Sequence, residues 1–178
     1  MIDKVTSIQT PNLSDFIIRQ VDKADLPALE WDGEYLKYRR MFANLYHNTR
    51  YKDTLMWIVE TKQCEMVGQA FVILRSEEKE VADGKTRAYV FSFRVKPQFR
   101  NCGIGSYLMG FIENDLRERG FKCITLNVAK ENLDALRLYQ RLGYRITGSR
   151  PGIWSFVDHE GRTQHIHEPS WRMIKDLL

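Results

Sequence analysis

The sequence predicts a single domain of mixed α/β structure, built around one βαβ unit. Residues 88–96 alternate as in a strand, residues 106–119 repeat apolar side chains at helical spacing, and residues 123–128 form a second apolar run. A strand, a helix and a strand in this order require parallel neighbours joined by a right-handed crossover. The 178 residues are 43% hydrophobic, which is sufficient for one folded core over residues 1–178.

The strand at residues 88–96 has two predicted faces. One face would carry Tyr89, Phe91, Phe93 and Val95, and the other would carry Ala88, Val90, Ser92 and Arg94. Pro97 lacks the N–H group that a strand ladder needs, so we expect the strand to end just before it.

The chain begins with a polar stretch, residues 1–14, which we expect to be a flexible lead. A first strand is predicted over residues 16–21. It is followed by a short helix through Leu29, which Asp22 or Asp25 is expected to cap.

An aromatic-rich segment follows at residues 34–48. Its aromatic side chains recur at helical spacing, which predicts an amphipathic helix. Glu34, Tyr35 and Tyr38 would line a substrate wall if they extend past the core. A plain core-facing stripe is the alternative interpretation.

Residues 55–60 and 66–74 are rich in strand-forming side chains. They flank a polar turn, so an antiparallel hairpin is the simplest prediction. Residues 76–85 are charged and contain an Asp-Gly turn pair, which indicates a solvated connection to the strand of the βαβ unit.

The junction between that strand and the central helix is basic and contains two glycines. The first N–H groups of a helix have no partner within the helix, and the helix dipole adds partial positive charge there. Gly103 and Gly105 would let this backbone curl around a phosphate without a Cβ in the way. We therefore interpret residues 100–106 as an anion-binding loop.

Two familiar phosphate-loop patterns do not fit this junction. A nucleoside-triphosphatase loop needs a lysine after its last glycine, but Ser106 follows Gly105. A dinucleotide-binding fingerprint needs a third glycine where Leu108 stands. A tight turn that needs glycines for its geometry alone remains an alternative.

The C-terminal third predicts a helix and several strands. Asn132 is expected to cap a helix that ends at Gly143, with four side chains on its inner face: Ala135, Leu138, Tyr139 and Leu142. Tyr139 therefore points inward. Residues 154–167 predict a hairpin, and residues 171–175 predict the last strand.

Composition argues against several classes of function. The formal charge is +4, but 27 basic residues are interleaved with 23 acidic ones, so we predict no nucleic-acid partner. No apolar run is long enough to span a membrane. Three cysteines without zinc spacing indicate reduced thiols in the cytoplasm. His165 and His167 share a strand face but lack further ligands nearby, so we predict no metal site.

Two motifs resemble the signature of the GNAT superfamily of N-acetyltransferases. The R/Q-x-x-G-x-G/A part is matched by Arg100, Gly103 and Gly105. The N-x-x-A-x-x-x-Y-x-x-x-G-[FY] part is matched by five residues: Asn132, Ala135, Tyr139, Gly143 and Tyr144. Both motifs stand in the expected order, and the resemblance extends to the order of elements over residues 16–177.

The resemblance implies a GNAT-like fold: a mixed, mostly antiparallel sheet of about seven strands flanked by helices. The fourth and fifth strands would splay apart, and acetyl-CoA would enter that opening. Main-chain groups at three positions would pair with its pantetheine amides: Phe93, Arg94 and Val95. Backbone N–H groups would bind its pyrophosphate at Arg100, Asn101, Cys102, Gly103, Ile104, Gly105 and Ser106. Side-chain charge would come from Arg100 with Arg94 or Lys96, and the thiol end would lie near Asn132, Ala135 and Tyr139.

The resemblance also implies the chemistry. Tyr139 resembles the family's general acid, although an aromatic side chain that only fills the helix–sheet interface is the alternative. The general base is open: Asn127 stands where some members, including acetyltransferases of ribosomal-protein N-termini, have a glutamate. Ser92 and Arg94 stand where others have a carboxylate. Water relayed to Glu34 or to a histidine is a further guess.

The predicted function is acetyl-CoA-dependent transfer of an acetyl group to a primary amine of a small molecule or a protein. The alternative is a non-catalytic acyl-CoA-binding regulatory module that keeps the loop but lacks an effective base. The acceptor amine is not indicated, and a homodimer is left open.

Overall fold

The structure is a computed structural model that describes residues 12–178. The prediction of a flexible lead falls mostly on residues 1–11, which lie outside the described residues. Three α-helices are present in the described part: α1 (Arg39–Asn48), α2 (Ile104–Glu118) and α3 (Leu133–Arg141). The strands of that part are β1 (Phe16–Gln20), β2 (Thr54–Thr61), β3 (Met66–Ile73), β4 (Arg87–Val95), β5 (Cys123–Ala129), β6 (Arg145–Arg150), β7 (Ile153–Val157), β8 (Thr163–His167) and β9 (Ser170–Asp176).

Seven strands form one sheet in the order β1-β2-β3-β4-β5-β9-β6, and β7 and β8 form a separate hairpin. Within the seven-stranded sheet only β4 and β5 are parallel, joined by α2 as a βαβ crossover. The predicted mixed, mostly antiparallel fold is therefore confirmed.

The parallel pair β4–β5 comes apart along its length. Pairing runs only from Arg87 opposite Cys123 to Val90 opposite Leu126, although both strands continue beyond that point. The strands therefore diverge toward their carboxyl ends, and the predicted splay is confirmed.

A β-bulge interrupts β4 at Ser92, whose φ of 49° lies in the left-handed region. The register with β3 shifts there, since Gln69 faces Arg94 whereas Phe71 faces Phe91. The bulge thus inserts one extra residue into β4 relative to its partner.

The extra residue reverses the alternation of side chains along β4. Phe91 packs on the core beneath α1, whereas Phe93 packs on the core beneath α2 and α3. The predicted single alternation, with both rings on one face, was wrong beyond Ser92. Arg94 consequently turns to the α1 face, where its guanidinium lies 4.0 Å from the centroid of the Tyr35 ring.

The N-terminal helices differ in detail from the prediction. A 3-10 helix spans Lys23–Glu30, and Asp25 accepts a hydrogen bond from the Asp22 N–H group at 2.6 Å, as a capping carboxylate does. The predicted helix at residues 34–48 was too long, because α1 begins only at Arg39, after a 3-10 turn at Leu36–Tyr38. The central helix α2 begins at Ile104 instead of Ser106.

Candidate active site

The loop between β4 and α2 presents unpaired backbone donors. Among the described residues, none accepts a hydrogen bond from the N–H groups between Asn101 and Ser106, and the first bond of α2 runs from Tyr107 N to Gly103 O at 2.9 Å. Asn101 and Gly103 have φ values of 59° and 85°. Left-handed residues in such turns bring successive N–H groups into a concave array that binds anions.

Side chains near the loop hold its shape without occupying those donors. Arg100 donates from Nε to the carbonyl oxygen of Val95 at 2.8 Å, and Cys102 donates from Sγ to the carbonyl oxygen of Arg100 at 3.3 Å. Lys96 lies 3.7 Å from a carboxylate oxygen of Glu65. The loop is thus anchored to the end of β4 and stays open toward the start of α2.

The two glycines of the loop have different roles. Gly103 needs its left-handed φ, and a Cβ there would meet only the side chain of Leu13, at 3.8 Å. Gly105 is helical, and a Cβ there would lie 3.3 Å from both Leu138 and Phe93. The left-handed conformation is thus found at Gly103, whereas Gly105 permits close packing on α3 and β4. That both glycines free the backbone for a phosphate stays a prediction.

Tyr139 is buried on α3, and the prediction that it points inward is confirmed. Its ring centroid lies 5.8 Å from that of Phe93 and 5.7 Å from that of Tyr144. Burial raises the pKa of Tyr139 well above its usual range, and the neighbouring Tyr89 phenol raises it further. The hydroxyl is therefore protonated at neutral pH and able to donate a hydrogen bond.

The predicted cofactor residues on three elements meet beside the opening between β4 and β5. Phe93 packs against both Gly105 at the start of α2 and Tyr139 on α3. The Asn132 side chain accepts a hydrogen bond from the Ala135 N–H group at 3.1 Å, which caps α3 as predicted. The side chain of Arg94 does not join this group, because it lies on the other face of the sheet.

On that other face, a cleft of about 780 Å³ lies between α1, the splayed strands and the β7–β8 hairpin. Five aromatic side chains line it: Tyr35, Tyr38, Tyr89, Phe91 and Trp154. Two of the three predicted substrate-wall residues are therefore at the cleft. The third, Glu34, is exposed. Burial raises the pKa of Tyr35, and the neighbouring Glu34 carboxylate raises it further.

Charged side chains of both signs also line the cleft: Arg94, Arg150, Arg172, Glu78, Glu80 and Glu168. Arg150 lies 3.8 Å from a carboxylate oxygen of Glu80. Arg172 donates from Nε to the Asn127 side-chain oxygen at 2.7 Å. Asn127, the position where some family members have a glutamate, is thus held by an arginine and offers no carboxylate.

Sequence reasoning did not single out Tyr89, Trp154 or Arg172. Tyr89 stacks on Phe91 at 6.1 Å between ring centroids, and burial raises the pKa of its phenol. Arg172 reaches Asn127 because the two residues are opposite each other in the β5–β9 pairing. That pairing joins distant parts of the chain, so no local pattern could have indicated it.

Two further observations concern the described residues only. No three His, Cys, Asp or Glu side chains between residues 12 and 178 are arranged as metal ligands, and His165 Nδ1 lies 2.8 Å from Ser155 Oγ instead. None of the helices in that part of the chain is long and apolar enough to cross a membrane.

The sequence model of the acetyltransferase (GNAT) family matches residues 19–144, which is most of the chain. The chain belongs to the GNAT family. A relative in Methanocaldococcus jannaschii, described as an uncharacterized N-acetyltransferase, is 28% identical over 147 residues. That match covers 74% of this chain and 62% of the relative, so the chain spans less than two thirds of that protein.

Solved structures of the family share the fold. Ard1 from Thermoplasma volcanium superposes with a TM-score of 0.70 at 20% identity, covering 92% of this chain and 99% of that one. Spermidine/spermine N-acetyltransferase from Vibrio cholerae superposes with a TM-score of 0.69 at 17% identity, covering 92% and 94%. At these identities the likeness concerns the fold alone.

Proposed function

We propose that this GNAT protein transfers the acetyl group of acetyl-CoA to a primary amine by direct attack. One observation carries the proposal: the N–H groups from Asn101 to Ser106, which no residue between 12 and 178 pairs, lie beside the opening of the parallel strand pair. That array fits the pyrophosphate of acetyl-CoA. The matched family supports the same co-substrate.

The rest of the co-substrate would follow the free edge of β4. Beyond Val90 this edge is not paired with β5. Main-chain groups of Phe93 to Val95 that do not face β3 would bond there to pantetheine amides, apart from the Val95 carbonyl oxygen, which already accepts from Arg100 Nε. Asn132 and Ala135 begin α3 on the other side of the opening. The thioester would then lie near Tyr139, between the loop and the cleft.

Tyr139 would act on the leaving group. The amine nitrogen attacks the thioester carbon, the carbon–sulfur bond breaks, and the electron pair goes to sulfur as a thiolate. Because the pKa of Tyr139 is raised, full proton transfer to a thiolate whose conjugate acid has a pKa near 8.5 is uphill. A hydrogen bond from the hydroxyl to the developing thiolate is therefore its proposed role.

The amine must lose a proton before it can attack, and that proton leaves toward the cleft or solvent. Three carboxylates line the cleft: Glu78, Glu80 and Glu168. We assign none of them as the base, since no contact singles one out.

We further propose that residues 1–178 form one domain that acts in a reducing compartment such as the cytoplasm. Cys64, Cys102 and Cys123 are all free thiols, which supports such a compartment. A homodimer stays a prediction.

The first experiment separates an enzyme from an acyl-CoA-binding module. Purified protein is incubated with acetyl-CoA and a panel of primary amines, and free CoA is measured with a thiol reagent. We expect amine-dependent release of CoA. Calorimetric binding of acetyl-CoA without release under any amine would favour the non-catalytic module.

Tyr139→Phe then tests the proposed chemistry. The substitution keeps the ring and its contacts with Phe93 and Tyr144, so we expect the fold and acetyl-CoA affinity to stay the same. Turnover with an accepted amine should fall by about 10- to 1000-fold, as for the loss of one well-placed donor. Steady-state kinetics and calorimetry on both proteins give the answer. Wild-type turnover in the variant would make Tyr139 a packing residue.

A further inference from the structure

Arg94 places a positive charge at the cleft, next to two aromatic rings. Its guanidinium lies 4.0 Å from the centroid of the Tyr35 ring and 5.6 Å from that of Tyr38. A guanidinium that lies over an aromatic ring can keep its in-plane N–H donors free for a planar acceptor. The two rings thus place the group at the edge of the cleft.

These donors have no partner within the described residues. The Nη1 atom of Arg94 is buried without a hydrogen bond, and no carboxylate oxygen of residues 12–178 lies within the 4.0 Å of an ion pair. The carboxylates whose charge reaches Arg94 are those of Glu34 and Glu168, and both side chains are exposed. A buried charged donor without an acceptor is costly, so an arginine kept in this state indicates a ligand.

A second unpaired polar group lies beside it. Gln69 faces Arg94 in the β3–β4 register and is 0% exposed. Neither its side-chain oxygen nor its nitrogen has a hydrogen-bond partner in the part of the chain that the structure describes. Residues opposite each other in a sheet project to the same face and are close neighbours. Desolvation also lowers the pKa of Arg94, as expected for a charge that lacks an acceptor.

The cleft as a whole combines cations, carboxylates and aromatic rings. A polyamine would bring only positive charge to Arg94 and would be repelled there. A molecule with only anionic groups could not accept an acetyl group on nitrogen. An amine that also carries a carboxylate meets both requirements: an anionic group for Arg94 and a nitrogen that accepts the acetyl group.

We propose that the acceptor is an amine that carries an anionic group, with a carboxylate as the simplest case, and that Arg94 binds this group. The inference rests on the acetyltransferase function proposed above. The anionic group would lie in the plane of the guanidinium, and the amine would point to the opening between β4 and β5. Arg94 would therefore determine which amines are accepted, with no part in breaking the thioester.

The test uses pairs of amines that differ only in the anionic group. L-Phenylalanine is compared with L-phenylalaninamide, and β-alanine with β-alaninamide. The amide makes the amine less basic, so more of it is unprotonated at neutral pH, and this bias works against the expected result. Spermidine supplies a cation without an anionic group, and 2-aminoethyl phosphate distinguishes a phosphate from a carboxylate.

We expect kcat/KM for the carboxylate member of at least one pair to exceed that of its amide by about 10-fold or more, as for a charge-assisted hydrogen bond in a partly buried site. Arg94→Gln should reduce that preference to about threefold or less, mainly through a loss with the carboxylate substrate. Arg94→Lys keeps the charge but loses the planar fork, so it should retain part of the preference.

Arg75→Gln is the matched control, because it removes the same charge from an exposed arginine that lies 3.3 Å from Asp53, away from the cleft. It should leave the preference unchanged. If Arg94→Gln does not fold, as judged by circular dichroism and thermal unfolding, Arg94→Lys decides the outcome.

The outcomes separate this inference from the function on which it rests. Equal or better turnover of the amides, or of spermidine, overturns the anionic acceptor and leaves the acetyltransferase intact. A preference for 2-aminoethyl phosphate over β-alanine keeps Arg94 as the anion site and makes phosphate its ligand. If no amine releases CoA, the acetyltransferase fails, and calorimetry with CoA-saturated protein decides the site. If the carboxylate member of a pair binds better than its amide, and Arg94→Gln abolishes that binding, the anion site at Arg94 is still supported. If no carboxylate-dependent binding is found, the anion site is overturned.

Discussion

Two loops in the described part of the chain gather backbone N–H groups around a small space, and described residues provide an acceptor in only one of them. In the connection before β4, the Asp83 carboxylate accepts hydrogen bonds from the N–H groups of Lys85, Thr86 and Arg87 at 2.7 to 2.9 Å. In the loop before α2, no described residue accepts from the N–H groups between Asn101 and Ser106. The first loop is complete as folded, whereas the N–H groups of the second have no acceptor among the described residues, which supports the proposed binding of an external anion.

The starts of two helices show the same contrast. Helix α3 has Asn132 at its N-cap, and that side chain accepts a backbone N–H group. Helix α2 has Gly103 at its N-cap, which has no side chain to offer. Helices usually satisfy these donors with a polar N-cap residue. Helix α1 also lacks a side-chain cap, but it continues directly from the 3-10 turn at Leu36–Tyr38. The uncapped start of α2 therefore supports the proposed anion-binding loop more strongly than glycine content alone.

The largest expected effect comes from placing a negatively charged side chain in the loop before α2. Gly103→Asp puts a carboxylate beside the unpaired N–H groups, and aspartate tolerates the left-handed φ of 85° better than most residues. We expect acetyl-CoA affinity to fall by about 100-fold, because like charges a few ångströms apart near a protein surface repel by several kcal/mol. Isothermal titration calorimetry measures the change.

Gly103→Asn is the control for shape, since it places a similar side chain there without the charge. The acetyl-CoA affinity of Gly103→Asn should fall by less than that of Gly103→Asp, by about 10-fold or under, because only backbone strain and crowding act against binding. Equal losses in the two variants would mean that the loop excludes side chains of any charge and that its electrostatics do not matter.

The glycine-containing turn before α2 and the cap of α3 could be predicted because their signals are local. The spacing of Arg100, Gly103 and Gly105, and the inward position of Tyr139, depend on residues a few positions apart. Helix periods and caps act over that same distance, so the elements themselves were mostly correct.

Apart from Tyr35 and Tyr38, the lining of the cleft could not be predicted, because it depends on strand register. The bulge at Ser92 decides that Arg94 faces Tyr35, and nothing in the alternation along β4 indicates an extra residue. The contact between Arg172 and Asn127 likewise requires the β5–β9 pairing. Strand register is set by packing across the whole sheet, so the sequence of one strand alone gives little information about it.

Removing the Asp83 carboxylate should lower the stability of the protein and leave acetyl-CoA binding unchanged. Asp83→Ala leaves three N–H groups without their acceptor, and water can replace it only in part because the carboxylate is half-buried. We expect the free energy of unfolding to fall by about 1 to 2 kcal/mol, as for the loss of a helix cap. Urea unfolding followed by circular dichroism measures this loss.

Acetyl-CoA affinity of Asp83→Ala should stay within about twofold of the wild type, because the N–H groups of residues 101–106 are untouched. A large loss of affinity in a folded variant would show that the two loops are coupled. The contrast between a structural loop and a binding loop would then fail.

The smallest effect concerns pH, and it tests whether the charge of Asp83 holds its loop. Desolvation alone would raise the pKa of Asp83, but the Thr86 hydroxyl and the three N–H donors more than offset it, so the pKa lies well below its usual range. A lowered pKa in the folded state contributes stability above the unfolded value of about 3.9, and that contribution is lost as the pH falls below it. The free energy of unfolding of wild type should therefore exceed that of Asp83→Asn most at pH 7, and the difference should shrink steadily from about pH 4 downward. Urea unfolding of both proteins between pH 7 and pH 3 provides the comparison. A difference that stays constant across this range would mean that the shape of the side chain, and not its charge, organises the turn.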